Sequence, residues 1–244
     1  MERIFMRQTR TTTDAFKAPG LTQALFRPHG IRSTPKKTLL PTGEWLNTLS
    51  HGAAALLSIP ATLFLLRQAA ANGDSRALLG SGVFGLTLTI TYAVSCLYHA
   101  CADPLIKSRL RRADHAAIFL LIAGTYTPFC LALPVSWSTP SLIGIWTLAL
   151  AGMMFKAFRP LGRTWLSLIP YIGVGWLVAC AAMPIIQHLG FSTFAWLFAG
   201  GCFYTLGTLF YLRSAKPYMH AVWHGFVILG SVSHYVAVMQ LPGT

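Results

Sequence analysis

The sequence predicts an all-α polytopic membrane protein, a seven-transmembrane-helix bundle. Three observations predict it. The 244 residues are 54% hydrophobic and only 10% charged, where a soluble domain has about a quarter of its residues charged. The apolar residues gather into seven segments, most of them near the roughly 20 residues a helix needs to cross a bilayer core. The 19 lysines and arginines fall almost wholly in alternate connections between those segments, the pattern that marks cytoplasmic loops.

Residues 1–43 read as a basic cytoplasmic N-terminal arm, and residues 44–244 as the transmembrane domain. The arm is broken by Pro19-Gly20, Pro28, Gly30, Pro35 and Pro41, so it is expected to be largely disordered or to lie on the lipid surface. It lacks an apolar signal core, and a cytoplasmic arm is a simpler account of it than an organelle presequence. The first span is Glu44–Leu66, and Asn72-Gly73-Asp74 turns the chain into the second, Ala77–His99. The third, Asp114–Leu133, follows a basic loop and is stopped by Pro134. The fourth, Ser141–Phe158, is predicted to be the shortest. The fifth, Trp165–Ile186, holds Pro170 and Pro184 as predicted kinks. Phe194–Leu212 and Met219–Met239 complete the set, and the short connections make sequence neighbours antiparallel neighbours in space.

With the arm in the cytoplasm, the inner connections are the arm itself, Ala100–Ala113, Lys156–Arg163 and Arg213–Pro217. They carry eight, four, three and two of the 19 basic residues, and the other side holds only Arg67 and Arg76. This predicts a cytoplasmic N-terminus and an outside C-terminus. The net charge of +13 then points to anionic lipid head groups at the basic inner loops rather than to nucleic acid, for which no motif is present. Five scattered cysteines with no Cys-x-x-Cys make no disulfide framework.

That topology brings the intramembrane polar residues to one depth. Glu44, Asn47 and His51 start the first helix, Ser95 and His99 end the second, Asp114 and His115 start the third, and His220 and His224 start the seventh. All these ends face inward, and chance placement would scatter them over both faces. His220 and His224 are four apart, which stacks them on one helix face about 6 Å apart along the axis. With His99 they supply three neutral imidazoles, the donor set of a catalytic zinc that keeps one position open. Asp114 is expected either as a fourth ligand or as the group that holds the bound water. Ser95 shares the His99 face and is expected to bond the water or a substrate carbonyl, the competing role being a bond to its own helix carbonyl. Glu44, Asn47 and His51 form one stripe suited to orienting the ligands or bridging helices. His234 lies ten residues beyond His224, roughly 15 Å further along a helix, and reads as a packing histidine. His29 and His188 fall outside the spans, and His115 has no assigned role.

At these residues the chain resembles the haemolysin III family, bacterial relatives of the progestin and adiponectin receptors. The matching pieces are Glu44-x-x-Asn47-x-x-x-His51, Ser95-x-x-x-His99, Asp114 followed by Ala123-Gly124-Thr125-Tyr126-Thr127-Pro128, and His220-x-x-x-His224 with Gly230 and His234 beyond. The resemblance covers Glu44 to the C-terminus. It implies a seven-helix bundle in the bacterial cytoplasmic membrane, zinc on the residues matching His99, His220 and His224, Asp114 close to the metal-bound water, and a link to membrane-lipid homeostasis. The wider superfamily includes membrane ceramidases.

Two functions of different kinds share this ligand set. One is a zinc-dependent hydrolase of membrane lipid amides or esters, with Asp114 as general base and Ser95 beside the developing oxyanion. Gly173, Gly175 and Ala179 would then leave room for an acyl chain, or alternatively permit close helix packing. The other is a non-enzymatic sensor of membrane state with structural zinc in a closed site. A pore-forming cytolysin, suggested by the family name, fits a chain of integral spans poorly. Haem fits poorly with three imidazoles and a carboxylate at one depth.

Overall fold

The computed structural model describes residues 43–158 and 164–244; the arm, with His29, lies outside the described residues. Among these, all regular structure is helical. The elements are α1 (Glu44–Ala71), α2 (Ser75–Ala100), α3 (Pro104–Ala132), α4 (Val135–Phe158), α5 (Thr164–Gly175), a 3-10 turn (Trp176–Ala181), α6 (Ala182–Leu189), α7 (Phe191–Tyr211) and α8 (Met219–Val238). With the stretch Trp165–Leu189 counted as one, seven helices are long and apolar enough to cross a membrane. Helix α1 packs on α2, α2 on α3, α3 on α4 and α7 on α8, while α8 returns to α1 and closes the ring.

The helix ends have local causes. Asp74 caps α2 by accepting the N–H groups of Arg76 and Ala77 at 2.9 and 3.0 Å, and Gly73 makes the turn before it at φ +66°. Such caps satisfy amides that have no partner within the helix. Asp103 caps α3 in the same way, accepting from Leu105 and Ile106, with Pro104 in the first helical position.

That cap corrects the expected start of the third span. The helix begins ten residues before Asp114, so most of the expected basic loop is helical and Asp114 sits in the helix interior. Its carboxylate is therefore no first-turn partner of the helix dipole, whose influence fades within a turn. The fourth span is not the shortest: it starts at Val135 and runs for 24 residues. Pro134 initiates it, accepting the amides of Trp137 and Ser138 at 2.9 and 2.8 Å.

The fifth span loses its α-helical pattern at neither proline but between them, Pro170 lying inside α5 and Pro184 inside α6. Pro184 offers no N–H to Cys180, and its ring crowds that carbonyl. Trp176–Ala181, ending three residues before Pro184, tighten into the 3-10 turn. The Tyr126 hydroxyl serves the backbone there: it donates to the Gly175 carbonyl at 2.8 Å and accepts from the Val178 N–H. On the other side, Trp176 Nε1 donates to Thr205 Oγ1 at 2.9 Å.

The Ala123–Pro128 stretch is the packing centre of α3. Gly124 faces Thr87 of α2 so closely that a Cβ would overlap the threonine side chain, and small residues of this kind let membrane helices approach. Thr127 donates to the Ala123 carbonyl at 2.8 Å and accepts from Trp146 Nε1 of α4 at 3.1 Å.

Candidate metal centre

Three histidines from two helices converge at one end of the bundle. The donor atoms of His99, His220 and His224 all lie within 4.8 Å of one another. Ring centroids are 5.0 Å apart for His99 and His220, 4.9 Å for His99 and His224, and 4.8 Å for His220 and His224. His99 closes α2, and His220 and His224 open α8 one turn apart. Tyr218, which precedes α8, has the left-handed φ of +64°, an uncommon conformation for a side chain of this size. It turns the chain so that α8 begins with His220 already at the cluster.

Each of the three rings has its Nδ1 engaged elsewhere. His99 Nδ1 meets Glu44 Oε2, with the Asn47 amide beside it at 3.5 Å. His224 Nδ1 lies 3.2 Å from Ser50 Oγ, and His220 Nδ1 3.3 Å from Ser214 Oγ. A proton held on Nδ1 leaves the Nε2 lone pair free to ligate, and a carboxylate or hydroxyl behind a ligating imidazole is the usual support. His99 Nε2 is fully buried with no partner among the described residues, a costly state for a polar atom. A cation between the three rings would relieve it. Three nitrogen donors gathered in this way could hold a tetrahedral ion with a fourth position to spare.

Around the cluster, Glu44 reaches outward as well: Lys107 Nζ donates to its Oε1 at 3.0 Å and stands over the Tyr98 ring at 5.2 Å. His51 stacks on His224 with centroids 3.6 Å apart and planes 5° from parallel, and meets Tyr92 edge-on at 5.0 Å. The predicted stripe of Glu44, Asn47 and His51 thus touches two of the three clustered histidines. Ser95 is buried, and its hydroxyl is within reach of the Asp114 carboxyl. Asp114 is not one of the clustered donors; with Ser95, His220 and His224 it lines a cavity of about 680 Å³.

The remaining histidines stand apart. His234 Nε2 lies 3.2 Å from the Leu197 carbonyl, its ring beside Tyr204, away from the cluster. His115 faces Tyr211, and its carbonyl accepts from the Tyr171 hydroxyl at 2.8 Å. His188, expected outside the spans, is exposed within the fifth span, in α6. Ser50, Ser214 and Lys107 were not singled out by the sequence. Ser50 follows Asn47 by three residues and so belongs to the same stripe, a signal that was available. Lys107 and Ser214 lay in stretches read as loops, where nothing distinguishes them from other polar residues.

The cavity runs from this polar end into an apolar interior walled by Leu121, Phe129, Ile145, Leu177, Val178 and Ile185. The 3-10 turn supplies part of that wall. A Cβ built on Gly173 or Gly175 meets nothing within 4 Å, so neither serves close helix packing; Gly175 lines the cavity, whereas Gly173 is exposed.

The haemolysin-III related family profile matches residues 41–235. Hemolysin-3 of Bacillus cereus is 38% identical over 199 residues, which cover 80% of this chain and 90% of that protein. The Hemolysin-3 homolog of Bacillus subtilis (strain 168) is 39% identical over 197 residues, covering 80% and 92%. Monocyte to macrophage differentiation factor of Homo sapiens is 25% identical over 201 residues, covering 76% and 80%.

Proposed function

Because the chain belongs to the haemolysin III family of integral membrane proteins, we propose that it is a zinc-dependent hydrolase of membrane lipid amides or esters, acting in lipid homeostasis from the bacterial cytoplasmic membrane. The observation that carries this reading is the buried, unpartnered Nε2 of His99 among three imidazoles whose Nδ1 atoms are all engaged. The residues fit a zinc ion: His99, His220 and His224 would hold it, and Glu44, Asn47, Ser50 and Ser214 would orient them. When bound, zinc supplies Lewis acidity toward a carbonyl and an acidified water.

The rest is the work of the chain's own side chains. Glu44 keeps the His99 proton on Nδ1, so that Nε2 is a lone-pair donor. His51, stacked flat on His224, fixes the tilt of that ring. Asp114 stands outside the donor cluster on the cavity wall, where its carboxylate takes a proton from the attacking water. Ser95 Oγ donates to the substrate carbonyl oxygen as charge develops there. The apolar length of the cavity receives the acyl chain and excludes water from it.

The same reading places the N-terminus in the cytoplasm and the C-terminus outside, by the positive-inside rule. It keeps residues 1–43 as a cytoplasmic arm ahead of the transmembrane domain of residues 44–244, with the basic inner segments against anionic head groups.

Purified protein is expected to carry about one zinc per chain and to release fatty acid from some member of a panel of lipid amides and esters in liposomes. Asp114→Asn keeps the volume of the side chain and removes its basicity. It should retain most of the zinc and lose about a hundredfold or more of the turnover. Loss of the zinc with Asp114→Asn would make Asp114 a ligand of a closed site and favour the sensor. Full zinc with no turnover across the panel would sink the hydrolase.

A further inference from the structure

One cation lines the cavity. Of the lysines and arginines in the described residues, only Arg111 does so; Lys107, Arg109 and Arg112 of the same helix do not. Arg111 precedes Asp114 by three residues on α3, so the two share a helix face. Arg111 is exposed, and Tyr98, Asp114, His115 and Tyr211 line the same cavity. Among the described residues Arg111 forms no ion pair, with Asp114 or with any other group. A guanidinium presents five N–H donors in a rigid fork matched to oxyanions. Here the fork lines a cavity shared with Asp114, His220 and His224, whose remaining lining is mostly apolar.

We propose that Arg111 is a specificity residue that binds the phosphate of a lipid head group, so that the ligand of this cavity is a phosphate-bearing acyl lipid. The proposal rests on reading the cavity as a lipid site. A lipid with its chain among Leu121, Phe129 and Leu177 has its carbonyl at the histidines and its head group beyond them. The head group meets Arg111 there, with the Tyr98 and Tyr211 hydroxyls as further donors. A free fatty acid places its carboxylate deeper, at the histidines, so it does not depend on Arg111. The carboxylate of Asp114 repels a phosphate, and the guanidinium offsets this only where its fork is turned toward the ligand, as the absence of an Arg111–Asp114 pair permits.

The probes are lauroyl lysophosphatidic acid and monolauroylglycerol, which share chain and ester and differ by one phosphate, with laurate as the carboxylate arm. Brominated chains report binding by quenching Trp137, Trp176 and Trp223, which line the cavity. Zinc-loaded and chelator-treated protein are compared, so that no result needs turnover. Wild type is expected to bind the phosphate ester about tenfold more tightly than the glycerol ester in both states, the size of a charge-assisted hydrogen bond. Arg111→Gln should abolish that ratio, Arg111→Lys should keep part of it, and laurate binding should respond to zinc but not to Arg111. An unchanged ratio in Arg111→Gln overturns the proposal. So does a loss shared equally by both esters, which is the result if Arg111 only balances Asp114. A ratio that depends on Arg111 in a protein with no hydrolysis leaves this assignment standing and removes the enzyme.

Discussion

In α3, 61% of the most apolar stretch is buried, and in α2 and α8 44% and 39%; in α4 and in the broken fifth span the figure is 17%. The two regions differ in kind as well as degree. The first holds His99, His220, His224, Ser95 and Asp114, with helix contacts so close that Gly124 has no room for a methyl group. The second carries part of the apolar wall of the cavity and a backbone fault stapled by Tyr126 and Thr205, although Gly152 of α4 also lacks room for a methyl group, against Phe119 of α3. A ligand set that must hold a small ion tolerates errors of only a few tenths of an ångström, and its two helices are each packed along neighbours, α2 on α1 and α3, and α8 on α7. A chamber for a flexible chain needs space, and the broken fifth span supplies part of its wall.

The largest effect expected from this division is at the cluster. His99→Ala should remove zinc almost entirely, because only two of the three donors remain. His234→Ala, in the same bundle but bonded to the Leu197 carbonyl, should leave zinc content near normal while costing some stability. Elemental analysis of the two purified variants checks both. Equal loss of zinc would mean that the cluster is held by the whole bundle and not by its own contacts.

Much of this was legible in the sequence, and the reasons are physical. The seven spans follow from composition and length, because lipid admits little other than apolar helices of the right reach. His220 and His224 follow from helical spacing. His99 and the Glu44 stripe follow from depth, once the basic residues give each helix a direction. What was not legible was mostly local. The start of α3 depended on Asp103 and Pro104, a cap hidden in a stretch whose charge made it look like a loop. The 3-10 turn in the fifth span is bonded by a hydroxyl from another helix, and neither Pro170 nor Pro184 discloses Tyr126. The Nδ1 partners Ser50 and Ser214 are small polar residues of a common kind, and only three-dimensional packing distinguishes them.

A smaller effect sharpens the comparison with one methyl group placed in each region. At Gly124 a Cβ would press into Thr87, a β-branched side chain whose hydroxyl already donates to the Phe84 carbonyl at 3.0 Å and which therefore has little freedom to move. Gly124→Ala should cost about 1–3 kcal/mol, the usual size of an overpacked core. At Gly173 nothing lies within 4 Å, and alanine stiffens the helix. Gly173→Ala should be neutral or stabilising by up to about 1 kcal/mol. Apparent unfolding midpoints in one detergent compare them directly, and similar losses at both sites would mean that the fifth span is packed as tightly as α3.

The smallest expected effect concerns the staple itself. Tyr126→Phe keeps the ring and removes the hydroxyl, leaving the Val178 N–H and the Gly175 carbonyl without their partner. Their full desolvation cost would be larger, but both groups belong to a segment that lines the cavity, where water can replace the lost contacts in part. The net loss should be about 1 kcal/mol. The informative readout is local. Hydrogen exchange in the peptide from Thr164 to Leu189 should quicken around Val178 in Tyr126→Phe, while zinc content stays normal because Tyr126 touches none of the clustered histidines. Thr205→Val removes the acceptor of Trp176 Nε1 and the hydroxyl's own bond to the Gly201 carbonyl, so it should loosen the other edge of the turn without exposing the Val178 amide. If Tyr126→Phe lowered zinc content together with exchange protection, the bend and the cluster would be one cooperative unit. The cavity wall could then not move without disturbing the metal centre, and the separation between a fixed site and a yielding chamber would fail.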